Sequence, residues 1–139
     1  MLHIWMLYVR SRILENESFR DPLMQKVVDD FFYDIDRGIV LSAGVTNFLL
    51  VGKASRQYFD IYGGALVAYD DYFLRNDIHM AESIYRNIFG ADPDITSPTK
   101  LAALVEYVRK NLKMLEDLSD KDFLVSDWKW CDPPDLSDL

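Results

Sequence analysis

Four aspartates crowd one short stretch of the chain, Asp29, Asp30, Asp34 and Asp36. Asp30 and Asp34 stand four residues apart, which puts both carboxylates on one face of a helix. Carboxylate-bridged metal centres in helical bundles combine such acids with Glu-x-x-His pairs on two helices. The chain has no Glu-x-x-His, and its two histidines, His3 and His79, have no partner at ligand spacing. A solvated acidic face, with Asp70 and Asp71 as similar neighbours, accounts for these acids better than a metal does. Nucleophilic chemistry has even less support. The single cysteine, Cys131, lies in an acidic, proline-containing tail, where neighbouring carboxylates disfavour the thiolate. The glycines do not fall at phosphate-loop spacings. The sequence therefore predicts no catalytic residue, no metal and no cofactor.

Recognition chemistry is better represented. Trp5, Tyr8, Phe31, Phe32, Tyr33, Tyr58, Phe59, Tyr62, Tyr69, Tyr72 and Phe73 exceed what one face of each helix can bury. Phe31-Phe32-Tyr33 points in three directions from one helix, so at least one ring must face away from the main core. Either a wide core leaves some rings exposed, or the rings line an apolar groove for a protein ligand. Arg10, Asp34, Asp70 and Arg86 stand near or within apolar stretches. Buried charges are tolerated mainly in pairs, so opposite-sign pairing among these four is expected as a structural charge network.

Helices must position these groups. Ile4, Leu7 and Tyr8 form a stripe that predicts a helix over 2–14. Asp21 as cap and Pro22 at the first helical position start a second helix. Met24, Val27, Val28, Phe31 and Ile35 face the core from it. Gly38 weakens its end and Gly44 closes the connection. A long third helix runs from about Thr46 to Leu74, with Phe48, Leu49, Phe59, Tyr62, Leu66, Tyr69 and Phe73 on its apolar side. Gly52, Gly63 and Gly64 interrupt it, each at a cost of about 1 kcal/mol against alanine. Close approach of another helix at Gly63–Gly64 would compensate; a kink is the competing explanation. Asp77 caps a fourth helix that ends at Gly90. Ser97 or Thr99 caps a fifth, whose Leu101, Leu104, Val105, Val108, Leu112 and Leu115 follow one face. Ser119 to Asp122 resembles a capping box and starts one last turn. No stretch alternates with period two, so the expected fold is all-α, a compact bundle of about five helices.

The 139 residues suit one domain. The helical domain is expected over 1–126, followed by an acidic, extended or disordered tail over 127–139 that Trp128 and Trp130 tether. Of the net charge of −8, the segment 116–139 contributes −6, so the body is nearly neutral. Neither part has the clustered basic stripe of a direct nucleic-acid surface. No apolar run reaches the roughly 20 residues of a membrane span. The apolar opening Met1–Val9 reads as a core helix, with a membrane-surface helix as the alternative.

The ordered segments resemble a known family. Leu2-His3-Ile4-Trp5-Met6 with Arg10 is similar to the opening helix of the ubiquinol–cytochrome c reductase (complex III) assembly chaperones. Val28-Asp29-Asp30-Phe31-Phe32-Tyr33-Asp34 resembles that family's next helix. Tyr62-Gly63-Gly64 and Ala68-Tyr69-Asp70 resemble its central segment. Asp77, Ala81, Arg86 and Asn87 resemble the fourth helix, and Leu104 to Lys110 the fifth. The resemblance implies an all-helical, non-catalytic assembly factor. Its implied partners are newly made cytochrome b, a small assembly-factor protein and, in some organisms, the mitochondrial ribosome. Its implied location is the mitochondrial matrix, near the inner membrane, or the cytoplasm of a bacterium. Family members usually carry a targeting sequence and a further helical stretch before Leu-His-Ile-Trp, so a truncated, processed or short form is expected. Within that frame Trp5, Phe31, Tyr62 and Tyr69 are the expected binding-surface or groove residues, each with a core role as the alternative. A permanent structural subunit of a larger mitochondrial complex is the alternative function.

Overall fold

Ten residues at the start of the chain, Leu2–Ser11, form α1, and the rest of the molecule is built around them. The computed structural model describes the backbone of residues 1–44, 47–125 and 127–137, and their side chains except at 39–43, 48, 73 and 74. After α1 come a 3-10 turn (Glu17–Phe19), α2 (Arg20–Ala43), α3 (Phe48–Leu74), α4 (Asp77–Asn87), α5 (Pro98–Asp117) and the short α6 (Asp120–Val125). The described residues contain no strand, and the expected all-α class holds.

α1 packs against α2, α3 and α5, while α4 bridges α3 and α5. Leu2, Ile4, Trp5, Met6, Arg10 and Ser11 of α1 are buried. Trp5 and Met6 meet Tyr69, Met80, Ile84, Val108 and Leu115 in the main core. A smaller cluster joins Ile4, Met24 and Tyr62, with Phe31 and Phe32 packed against it.

Several helix ends differ from expectation for local reasons. α1 stops at Ser11, three residues early, where Arg12 and Ile13 continue only as turns. α2 begins at Arg20 without a side-chain cap, because the 3-10 turn delivers the chain already helical. Asn16 caps that turn by accepting from the Ser18 N–H at 3.0 Å. Asp21 therefore lies inside the first turn and does not cap. Pro22 still meets no penalty, since first-turn N–H groups have no intrahelical acceptor. α2 passes through Gly38 and ends at Gly44, whose left-handed backbone (φ 61°) closes it. Asn76, not Asp77, caps α4, accepting from the Ile78 N–H at 3.0 Å. Ser97 caps α5, accepting from the Lys100 N–H, with Pro98 in the first turn. The expected start of α3 at Thr46 and the side chains of Phe48 and Phe73 lie outside the described residues; Asn47 caps α3.

The close contact expected at Gly63 and Gly64 is absent, and α3 is helical straight through both. Tyr62, Ala65 and Tyr69 take the core side, so Gly63 and Gly64 turn outward. Nothing lies within 4 Å of where a Cβ would stand on either.

Among the described residues the tail after α6 has no regular structure, yet Trp128, Trp130, Cys131 and Leu136 pack against the main core. The Cys131 N–H donates to the buried Asn111 side chain at 2.9 Å. Trp130 meets His3 edge-on at 4.6 Å.

Two stability measurements follow. Gly63→Ala and Gly64→Ala should each stabilise the chain by about 0.5–1 kcal/mol, because a methyl there meets open space in a helix interior. Loss of stability in urea unfolding would mean that the contact exists after all. Arg10→Met, which keeps the aliphatic stem but removes the buried donors, should cost about 2–4 kcal/mol by the same measurement.

Candidate functional site

The four charged positions do not form one network. Arg10 is 3% exposed and reaches from α1 to the far end of α5. Its Nε donates to the Leu115 carbonyl at 2.8 Å. Its Nη2 donates to the Leu118 carbonyl at 2.9 Å and to Asp120 at 2.7 Å. The guanidinium also sits 4.8 Å over the Phe123 ring. Asp120 in turn accepts the Glu15 N–H at 2.8 Å. Hydrogen bonds from Arg10 and then from Glu15 hold its carboxyl below the ordinary value of 3.8.

Asp70 forms a second, separate node. It accepts Trp5 Nε1 at 2.9 Å and Arg12 Nη2 at 2.8 and 3.0 Å. Burial pushes its carboxyl up, but the bonds from Arg12 and Trp5 outweigh burial and leave it below the ordinary value. Arg86 pairs with Glu82 on its own helix, and Asp34 lies exposed on α2. The expected pairing of Arg10 and Arg86 with Asp34 and Asp70 is thus replaced: Arg10 pairs with Asp120 of α6, Asp70 with Arg12, and Arg86 with Glu82. Asp120 and Arg12 reach Arg10 and Asp70 from other helices, which helical spacing alone does not reveal, whereas Glu82 stands four residues before Arg86 and was legible.

Asp29, Asp30 and Asp34 of the acidic stretch are exposed on α2, and Asp36 is half-buried. Asp29 accepts from Gln25 at 2.8 Å, and Asp30 pairs with Lys26 at 2.8 Å. Among the described residues, no three His, Cys, Asp or Glu side chains converge as metal ligands would. His3 Nε2 and the Tyr107 hydroxyl are 2.8 Å apart, and His79 meets Asn76 and Arg75.

The four expected binding aromatics divide into two pairs. Trp5 and Tyr69 are interior, at 0% and 1% exposure, with ring centres 5.6 Å apart. Burial pushes the Tyr69 phenol up to about 12. These two rings offer no surface to a ligand; they fix α1 against α3. Phe31 and Tyr62 belong instead to an aromatic cluster between α2 and α3. Tyr62 meets Phe31 at 6.2 Å, Phe32 at 5.7 Å and Phe59 at 6.2 Å. Phe32 meets Phe59 at 5.4 Å. Burial, then the neighbouring Tyr8 hydroxyl, pushes the Tyr62 phenol far above its ordinary value. Its hydroxyl is buried without a hydrogen bond of ordinary geometry.

This cluster is open at its rim. Phe59, whose ring meets Phe32 and Tyr62, is 56% exposed, and Tyr33, the chain neighbour of Phe32 on α2, is 65% exposed. Tyr33 is the ring of the Phe31–Tyr33 triplet that turns away from the core. Phe59 was legible only as part of the α3 stripe. The signal that it is exposed is the overhang of α3's first half beyond α1, which no local spacing encodes. The arrangement can hold an apolar protein segment against rings that are already ordered by one another.

The chain matches the family model described as ubiquinol–cytochrome C chaperone over residues 1–130. It is 30% identical, over 96% of its length and 39% of the relative's, to "Protein CBP3, mitochondrial" of Saccharomyces cerevisiae. It is 31% identical to ubiquinol-cytochrome-c reductase complex assembly factor 1 of Xenopus laevis, over 90% of this chain and 60% of that one. The human protein of the same name is 28% identical over 91% of this chain and 40% of its own. The chain therefore spans between about two fifths and three fifths of these relatives. No solved structure matches it.

Asp70 supplies a test by pH. A carboxyl held below its unfolded pKa stabilises the fold above about pH 4, and the contribution is lost as pH falls through the folded value. Asp70→Asn should therefore lower stability at pH 7, and its deficit against wild type should shrink as pH falls below 3.8. Urea unfolding at stepped pH reads this. A deficit that stays constant to pH 2.5 or so would show that the charge on Asp70 is not what matters.

Proposed function

The chain belongs to the ubiquinol–cytochrome c chaperone family, and from that premise we propose that it serves, without catalysis, in the assembly of ubiquinol–cytochrome c reductase. In this proposal it binds newly made cytochrome b together with a small partner protein, and it works in the mitochondrial matrix beside the inner membrane. Docking to the mitochondrial ribosome would go through that partner or another part of the assembly, since the acidic tail suits no direct contact with RNA. No described helix is long and apolar enough to cross a membrane, so membrane proximity would have to be peripheral.

The observation that carries the proposal is the family match along nearly the whole chain. The rim of the α2–α3 cluster supports it with a surface of the right chemistry. Rings that pack on one another lose little further freedom when a ligand arrives, so an apolar segment can be held without refolding the site. Phe31 and Tyr62 then form the floor of this surface and Phe59 and Tyr33 its contact edge. Trp5 and Tyr69 act from beneath by fixing α1 and α3. A hydrophobic client also needs release, and a rim of partly exposed rings gives moderate rather than permanent affinity.

The test is co-purification at native expression levels. Wild type should recover a small partner protein and unassembled cytochrome b. Phe59→Ser and Tyr33→Ser should each reduce recovery of one of them by about tenfold with helical content unchanged. Recovery of neither protein by wild type would refute the chaperone role. A fixed stoichiometry in the mature complex would move the protein to the role of a permanent subunit.

A further inference from the structure

We propose that the outer face of α3 pairs with the same face of a second copy of this chain, antiparallel and about a two-fold axis that crosses the outer face at the level of residue 58. The side of α3 that carries Tyr62, Ala65 and Tyr69 is buried. At 100° per residue the opposite side carries residues 49, 53, 56, 60, 63 and 67. α1, α2 and α4 pack against α3, and they leave that opposite side open. Its two ends are strongly exposed aliphatic side chains, Leu49 at 84% and Val67 at 73%. Gly63 lies on it and Gly52 and Gly64 flank it, all with nothing within 4 Å of a Cβ position.

The charges at its centre are unusual for this molecule. Opposite charges four residues apart close into ion pairs at Lys26–Asp30, Asp71–Arg75, Glu82–Arg86, Glu106–Lys110 and Lys113–Asp117. Arg56 and Asp60 have the same spacing and are both exposed, yet neither makes an ion pair among the described residues.

The face is also its own complement. Reversal about Tyr58 exchanges Leu49 with Val67, Gly52 with Gly64, Lys53 with Gly63 and Arg56 with Asp60. An antiparallel pair therefore sets Arg56 opposite Asp60 of the partner subunit, twice. It sets aliphatic ends against each other and leaves room at Gly63 for Lys53 of the partner subunit. A two-fold interface requires this self-complementarity, because the same patch serves both sides. An unrelated partner would not require the pattern to reverse onto itself, which is why a second copy is the occupant that fits. The stripe is about 27 Å long. One helix face of that length falls short of the roughly 800 Å² per partner of a standard interface, so the dimer dissociates on dilution. The proposal stands apart from the aromatic rim, which lies on the flank of α3 facing α2.

Sedimentation velocity over a concentration series, from about 1 µM to about 500 µM, tests it. Wild type should pass from monomer toward dimer. Arg56→Asp and Asp60→Arg should each weaken association at least tenfold, with unchanged helical content. An equimolar mixture of these two variants should associate again, because every cross-pair then joins an aspartate to an arginine. Wild type that stays monomeric throughout overturns the proposal, including the case in which the face is found covered by a different protein. A dimer indifferent to both charge reversals overturns it too. A mixture no tighter than the single variants overturns the antiparallel register.

Discussion

The buried guanidinium of Arg10 is the interaction on which the rest of the domain depends. A cation taken out of water is costly unless its donors are met. Here two of them are met by the carbonyls at the end of α5, which that helix cannot satisfy itself. Asp120 at the start of α6 completes the neutralisation. One side chain thus caps α5, anchors α6 and holds the C-terminal end of α1 in place. Leu118 and Asp120 are in turn placed so that Phe123 can cover the guanidinium. The turn between α5 and α6, where Ser119 to Asp122 reads in the sequence as a capping box and Ser119 does accept the Asp122 N–H, is also shaped by a residue of the first helix.

The helices themselves were largely legible. α5 is the clearest case: its apolar positions recur without interruption, and Ser97 with Pro98 marks its start. The caps were less so. Asn76 and Asp77 are both good capping residues, and only the backbone geometry at Asn76, which is extended, decides between them. Asp21 failed as a cap because a 3-10 turn upstream had already begun the helix. The interior charges were the least legible. Arg10 and Asp120 are separated by 110 residues, and a pair of that kind leaves no spacing signal. The glycine pair in α3 misled for a related reason. A glycine in a helix signals that something is unusual, but the sequence does not say whether the bare face turns in or out.

The aromatic surplus resolves into two functions of the same residue type. Trp5 and Tyr69 are sealed in the core, and Trp5 still satisfies its indole N–H through Asp70 at the boundary. Phe31, Phe32, Phe59 and Tyr62 pack on one another, edge to face at Phe31–Phe32 and Phe32–Tyr62 and tilted at the other contacts, in a layer only partly covered by α1. The difference arises from length. α1 has ten residues and α3 twenty-seven, so a short helix lies against a long one and covers only part of it. Beyond the reach of α1, Phe59 is left with no roof.

The separation between Arg10 and its partners also sets an order of events during synthesis. α1 is made first, yet its buried positions face α5, and its cation is neutralised by residue 120. A growing chain that has delivered α1 to α4 still has an apolar helix without its second wall and a guanidinium without its acceptors. Contacts this distant in sequence must bear the full entropy of loop closure before they contribute. The domain can therefore close only when nearly all of it has left the ribosome. Until then it exposes the kind of apolar surface that, once folded, it is proposed to shield in another protein.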